Sequence, residues 1–127
     1  MPTDLPLRRA LPAPGASVLG RDDLPGQPTS RRFEGARYGN VGVSLFWLET
    51  PPGHGPALHE HPYAEVFVVQ AGEATFTVQG VQYRVSGGEM VVVPPRCPHR
   101  FTNHGPVQLQ LIAIHASAQM QQTWLSE

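Results

Sequence analysis

The sequence predicts an all-β domain whose short antiparallel strands close into a sandwich or barrel. Three observations carry that expectation. Short runs of β-branched and aromatic residues recur from Arg31 onward. Glycine, proline and asparagine punctuate them, and no stretch sustains a helical period. The runs number about eight, a series that buries its apolar faces only by folding sheet against sheet.

Residues 1 to 30 come first and lack any sustained period. Pro2, Pro6, Pro12, Pro14, Pro25 and Pro28 exclude a long helix there. This is an irregular N-terminal arm with two open readings. It is either partly disordered, or it lies across the domain or a partner, burying Leu5, Leu7, Leu11, Val18 and Leu19. Residues 31 to 127 form the β domain. R-R-F-E-G-A-R-Y from Arg31 and V-G-V-S-L-F-W-L-E-T from Val41 read as strands, and Pro51-Pro52-Gly53 as a turn. Ala64 to Gln70 is a strand. Ala74, Phe76 and Val78 alternate with polar neighbours and return through a tight hairpin at Gly80 to Val81, Tyr83 and Val85. Gly87-Gly88 leads into Met90 to Val93. Pro94, Pro95 and Pro98 allow only irregular or edge structure. His99 to Asn103 and Val107 to His115 are the last long strands, and the tail after them is a helical turn or a packed arm.

The chain has 127 residues, enough for one domain and one modest core. Its net charge of -1 and scattered arginines give no electrostatic footprint for nucleic acid. Cys97 is its single cysteine, which rules out an internal disulfide and fits a reducing compartment. No apolar run approaches the length of a membrane span, and prolines interrupt any signal-peptide block. The expectation is a cytoplasmic protein with no membrane or nucleic-acid partner. V-S-L-F-W-L and Q-L-Q-L-I-A-I carry apolar residues at both parities, more than one inner face needs. A homodimer, or the arm, would cover the rest.

The chemistry concentrates between Gly53 and Gly72. His59, His61 and Glu65 stand at the spacing H-x-H-x3-E. All three positions are odd, so in one extended strand they project from one face. Two imidazoles and a carboxylate converging from one side make a coordination shell for a divalent transition metal. Glu65 lies among Val66, Phe67, Val68 and Val69, where a carboxylate is costly to bury without a compensating cation. The plainer alternative places it in water at the strand end. His99, in a second segment from Gly88 to Asn103, adds a fourth donor if the turn before it brings the strand back. Alone it could equally be a loop residue. His54, His104 and His115 read as surface or hydrogen-bonded histidines. His54 and His104 flank the motifs and are candidates for the substrate pocket, as are the aromatics Trp47 and Phe101. Asn103 is expected to hold the turn after His99 through bonds to backbone.

These two segments resemble the paired motifs of the cupin superfamily. The first, G-x5-H-x-H-x3,4-E-x6-G, is met at Gly53, His59, His61, Glu65 and Gly72. The second, G-x5-P-x-G-x2-H-x3-N, is met at Gly88, Pro94, His99 and Asn103, with Arg96 where the pattern has glycine. The resemblance spans about residues 41 to 117 and is that of a small single-domain member. It implies an antiparallel β-barrel or jelly roll (double-stranded β-helix). It also implies one ion of Mn, Fe, Ni, Zn, Cu or Co held by His59, His61, Glu65 and His99.

One such fold carries many activities. The leading expectation is a metal-dependent enzyme, of dioxygenase or isomerase type, acting on a small oxygen-bearing molecule chelated by the metal. Glu65 is the candidate general base. The alternative is a non-catalytic module that binds a metabolite or sugar. A purely structural barrel would have no need of four intact ligands.

Overall fold

The computed structural model describes residues 15–126. Residues 1–14 of the expected arm, with Pro2, Pro6, Pro12, Pro14, Leu5, Leu7 and Leu11, lie outside them. The described chain opens with a 3-10 turn, Arg21–Asp23, and continues through β1 (Gly26–Gln27), β2 (Ser30–Glu34) and a second 3-10 turn, Gly35–Arg37. Then follow β3 (Ser44–Thr50), β4 (His59–Glu60), β5 (Glu65–Ala71) and β6 (Glu73–Val78). The remainder are β7 (Val81–Ser86), β8 (Met90–Val93), β9 (His99–Asn103), β10 (Leu109–His115) and β11 (Thr123–Trp124). Among the described residues no helix is long and apolar enough to cross a membrane.

Two antiparallel sheets form. One runs β1-β2-β3-β10-β5-β8 and the other β11-β4-β9-β6-β7. Consecutive strands β4 and β5 fall in different sheets, as do β5 and β6, so the chain crosses repeatedly between layers as a jelly roll does. The core lies between them. Phe67, Val69, Phe76, Phe101, Leu109 and Leu111 are buried there, each worth about 1.5–3 kcal/mol relative to exposure.

Several expected elements are shorter than the sequence pattern. The run from Arg31 leaves the sheet at Gly35, because the chain turns there against a neighbouring segment. A Cβ on Gly35 would strike the carbonyl oxygens of Val41 and Val43. The strand expected from Val41 begins at Ser44, and that expected from Val107 begins at Leu109. The tail is the packed arm of the two readings, and it ends in β11 beside β4.

The outer face of the larger sheet is apolar, as the double parity of β3 and β10 implied. Cross-strand rows run Leu45, Ile114, Val66 and Trp47, Ile112, Val68. The inner positions Leu109, Leu111 and Ala113 are buried.

Turns place the motif ends. Gly72 has φ 93°, and a Cβ there would lie 3.0 Å from the Gln108 carbonyl oxygen, so both conformation and space select glycine. Arg96 has φ 60° at the position where the resemblance expects glycine. Its amide donates to the His61 carbonyl at 2.7 Å, tying the second motif's turn to the first motif's ligand segment. Arg96→Gly is therefore expected to stabilise the chain by about 0.5–1 kcal/mol. Relieving roughly 1–2 kcal/mol of left-handed strain exceeds the added unfolded-chain entropy. The urea midpoint reads this directly, and a lowered midpoint would mean that the Arg96 side chain itself holds the turn.

Candidate metal centre

The centre is built from two cross-strand pairs that face each other across the layers. In the smaller sheet His59 of β4 stands opposite His99 of β9. In the larger sheet Glu65 of β5 stands opposite His115 of β10. His61 belongs to neither strand but to the corner by which the chain passes between them. Convergence of His59, His61 and Glu65 thus differs in origin from the expectation of one extended strand. The chain breaks after Glu60 and re-enters the opposite sheet at Glu65. It is the crossing that turns the side chains toward one point.

One donor atom from each of His59, His61, Glu65 and His99 lies within 4.8 Å of all the others, and all four residues are buried. Glu65 Oε1 is 2.9 Å from His61 Nε2 and 2.9 Å from His99 Nε2. With metal–ligand distances of ~2.0–2.2 Å, neighbouring donors at right angles about one ion stand about 3 Å apart. The two Glu65 spacings match.

Backbone carbonyls fix the imidazoles. His59 Nδ1 faces the Ala57 carbonyl at 2.7 Å, His61 Nδ1 that of Gln121 at 2.8 Å, and His99 Nδ1 that of Cys97 at 2.8 Å. A carbonyl oxygen only accepts, so each Nδ1 carries the hydrogen and each neutral Nε2 presents a lone pair. His61 Nε2 is buried without an aligned hydrogen-bond partner, although Glu65 is close. Lone pairs of three imidazoles turned toward a carboxylate repel unless a cation lies among them. The donor set fits a borderline first-row divalent ion.

His115 is the residue that the sequence reading left among the surface or hydrogen-bonded histidines. It is hydrogen-bonded and fully buried. The Gln121 amide donates to the Tyr63 hydroxyl at 3.1 Å, leaving the Tyr63 O–H to donate to His115 Nδ1 at 2.6 Å. His115 Nε2 then donates to Glu65 Oε2 at 3.1 Å. The chain of bonds has one direction and occupies Oε2, so Oε1 alone is turned to the cluster. Parity carried the missed signal. Leu109, Leu111, Ala113 and His115 share the inward face of β10. Tyr63 shared the odd parity of His59, His61 and Glu65, whereas Gln121 and Trp124 carried no signal, because the tail had no periodicity to read.

Electrostatics follow from these contacts. Burial works to raise the Glu65 carboxyl, but the His115 hydrogen bond and the His61 and His99 rings beside it outweigh burial and hold the group well below the usual range. Burial, with His99 and His61 alongside, pushes His59 down to about 4 against the pull of the Ala57 carbonyl. For His61 burial works the same way, yet Glu65 and the Gln121 carbonyl prevail and raise it. Burial raises Tyr63.

A cavity of about 320 Å³ opens beside the cluster, lined in part by His59, Glu65, His115, Phe67 and Phe101. Of the pocket candidates, Phe101 is in this wall and His54 is at its exposed rim. Trp47 and His104, contrary to expectation, do not line it. Trp47 pairs with Ile112 on the outer face of its sheet, since the inward parity of β3 belongs to Phe46 and Leu48. His104 is held on the exposed surface by Thr75 and Arg84. Asn103 performs the expected turn-holding role. Its Nδ2 donates to the Thr50 and Val107 carbonyls and its Oδ1 accepts from Gly105 N–H.

Comparison with known proteins agrees with this architecture. Residues 46–115 match the family model described as "Cupin domain". Protein SchB of Streptomyces halstedii is 31% identical over 109 residues, covering 76% of this chain and 75% of that protein. Among solved structures, an oxalate oxidase superposes with a TM-score of 0.68 at 21% identity, over 78% of this chain and 57% of that one. A protein of Klebsiella pneumoniae subsp. pneumoniae with a double-stranded β-helix domain has a TM-score of 0.68 at 18% identity. It covers 89% of this chain and 100% of that one. At such identities the structural likeness is one of fold.

Proposed function

The chain belongs to the cupin family, and from that premise we propose that it is a metal-dependent enzyme acting on a small oxygen-bearing organic molecule. The observation that carries the reading is the set of three tautomer-locked Nε2 atoms and one carboxylate oxygen, beside a cavity. His59, His61, Glu65 and His99 would hold the ion, one of Mn, Fe, Ni, Zn, Cu or Co. When bound, such an ion supplies Lewis acidity toward adjacent substrate oxygens, and a redox-active one also electrons. The residues do the rest. Burial excludes water from the donor set, and the Ala57, Gln121 and Cys97 carbonyls keep the imidazoles aimed. Glu65, held so far below the ordinary carboxyl range, is a poor proton acceptor at neutral pH. In this reading its role is that of ligand rather than base. A reducing compartment, the cytoplasm, suits the single free Cys97.

Metal analysis of purified protein, followed by a screen for oxygen uptake or product formation with phenols, diketones and keto-acids, tests the proposal. Near-stoichiometric metal and turnover are expected. At a hundredfold excess over the dissociation constant, the bound ion should add about 2.7 kcal/mol to stability. Metal without turnover would move the reading to a ligand-binding module. A chain that takes up none of the six ions, with an unchanged melting temperature, would overturn it.

A further inference from the structure

We propose that the cavity selects a planar, largely apolar molecule that offers one pair of adjacent oxygens, carries at most one negative charge, and stacks on Trp124. The proposal rests on the metal reading above, since the oxygens are taken to meet the ion. It adds what the rest of the ligand must be.

Charge comes first. Glu65 is the carboxylate turned toward the cavity, Glu49 having the outward parity of β3, and among the described residues no arginine lines it. The chain contains no lysine. A ligand with a second anionic group would bring it beside Glu65, against walls that offer neither lysine nor arginine. Desolvating a second carboxylate there is costly, and the Glu65 charge adds repulsion. A small dicarboxylate is therefore a poor fit, even though an oxalate oxidase shares the fold.

The walls come second. Phe46, Leu48, Phe67 and Phe101 supply much of the apolar lining. Burying an apolar body against them is favourable by about 25 cal/mol per Å². At about 320 Å³ the cavity is at the lower end of ligand pockets, a size for one or two fused rings.

Trp124 is the third observation. It lines the cavity yet is 58% exposed, unlike the buried aromatics of the core. Its backbone is not loose, because Trp124 pairs with His59 across β11 and β4. Its ring centroid is 5.2 Å from that of His59. The tail thus presents an aromatic ring at a set position next to a donor residue. A flat ligand reaching the ion can cover this ring, and stacking of that kind contributes about 0.5–1.5 kcal/mol beyond area.

The test uses the full chain loaded with zinc, which is redox-inert. Tropolone is a planar, monoanionic two-oxygen chelator, and oxalate is a dianionic one without a ring. Each is titrated by calorimetry and tryptophan fluorescence, and each affinity is corrected for binding to free zinc. Tropolone is expected to bind at least about tenfold more tightly than oxalate. Trp124→Ala should weaken tropolone about three- to tenfold and leave oxalate unchanged, and Trp124→Phe should restore most of the loss. Oxalate binding as tightly as tropolone would overturn the proposal, as would equal losses for both probes in Trp124→Ala. Zinc content, measured first, separates this outcome from failure of the metal reading. If the chain holds no zinc, the same titrations on metal-free protein decide: preferential quenching by tropolone supports the cavity assignment, and equal response to both probes overturns it.

Discussion

Glu65→Gln is expected to lower zinc affinity by more than about a hundredfold and to lower the stability of the metal-free fold at neutral pH. The two effects have different origins. Outer partners of a metal site cost about 10–100-fold when removed, and Glu65 would supply both a direct donor and the only negative charge of the set. Glutamine keeps the shape and a carbonyl oxygen, to which His115 Nε2 still donates. Its amide NH2 can donate to the Nε2 lone pairs of His61 and His99, which now face Oε1 at 2.9 Å. These bonds limit the loss, but the variant removes a carboxylate whose ionised form the fold favours, and that exceeds the desolvation cost it saves. Competition titration against a chelator measures the first effect, and melting with and without zinc the second. A variant that retained native zinc affinity would show that Glu65 is no ligand.

The largest effect on folding is expected from Phe76→Ala, a loss of about 3–5 kcal/mol. Phe76 is 0% exposed. Its ring meets Phe67 edge-on at 4.9 Å and Phe101 at 5.3 Å, and Phe67 in turn meets His99 at 5.9 Å. These three rings fill the space between the sheets under the donor cluster. A domain of this size is stable by only about 5–15 kcal/mol, so the cavity left behind removes a large share. Guanidinium denaturation measures it. A loss below about 1 kcal/mol would mean that the neighbouring rings collapse into the gap.

Legibility along the chain followed the kind of signal each residue carried. The alternation of Ala74, Phe76 and Val78 announced a half-buried strand because side-chain direction in a strand repeats every second residue. The same rule misplaced Trp47. Its run is apolar at both parities, and nothing local says which parity faces the core. His104 was misplaced for a related reason. Proximity in sequence to His99 and Asn103 did not carry it to the cavity, because the chain leaves the sheet after Asn103 and its ring turns outward to Thr75. His115 was readable in principle, through Leu109, Leu111 and Ala113 on its own strand. Its pairing with Glu65 was not, since no local pattern states which strand lies alongside.

From the residues alone came the β class, the turns, the family motifs and the four donors, because each depends on residue type at short range. Sheet membership, the inward turn of His115, and the placing of Gln121 and Trp124 against the cluster belong to the tertiary structure. They depend on which distant segments share a ladder. Hydrogen bonding between strands is blind to side-chain identity, so that choice is made by the packing of the whole core rather than by any segment of it.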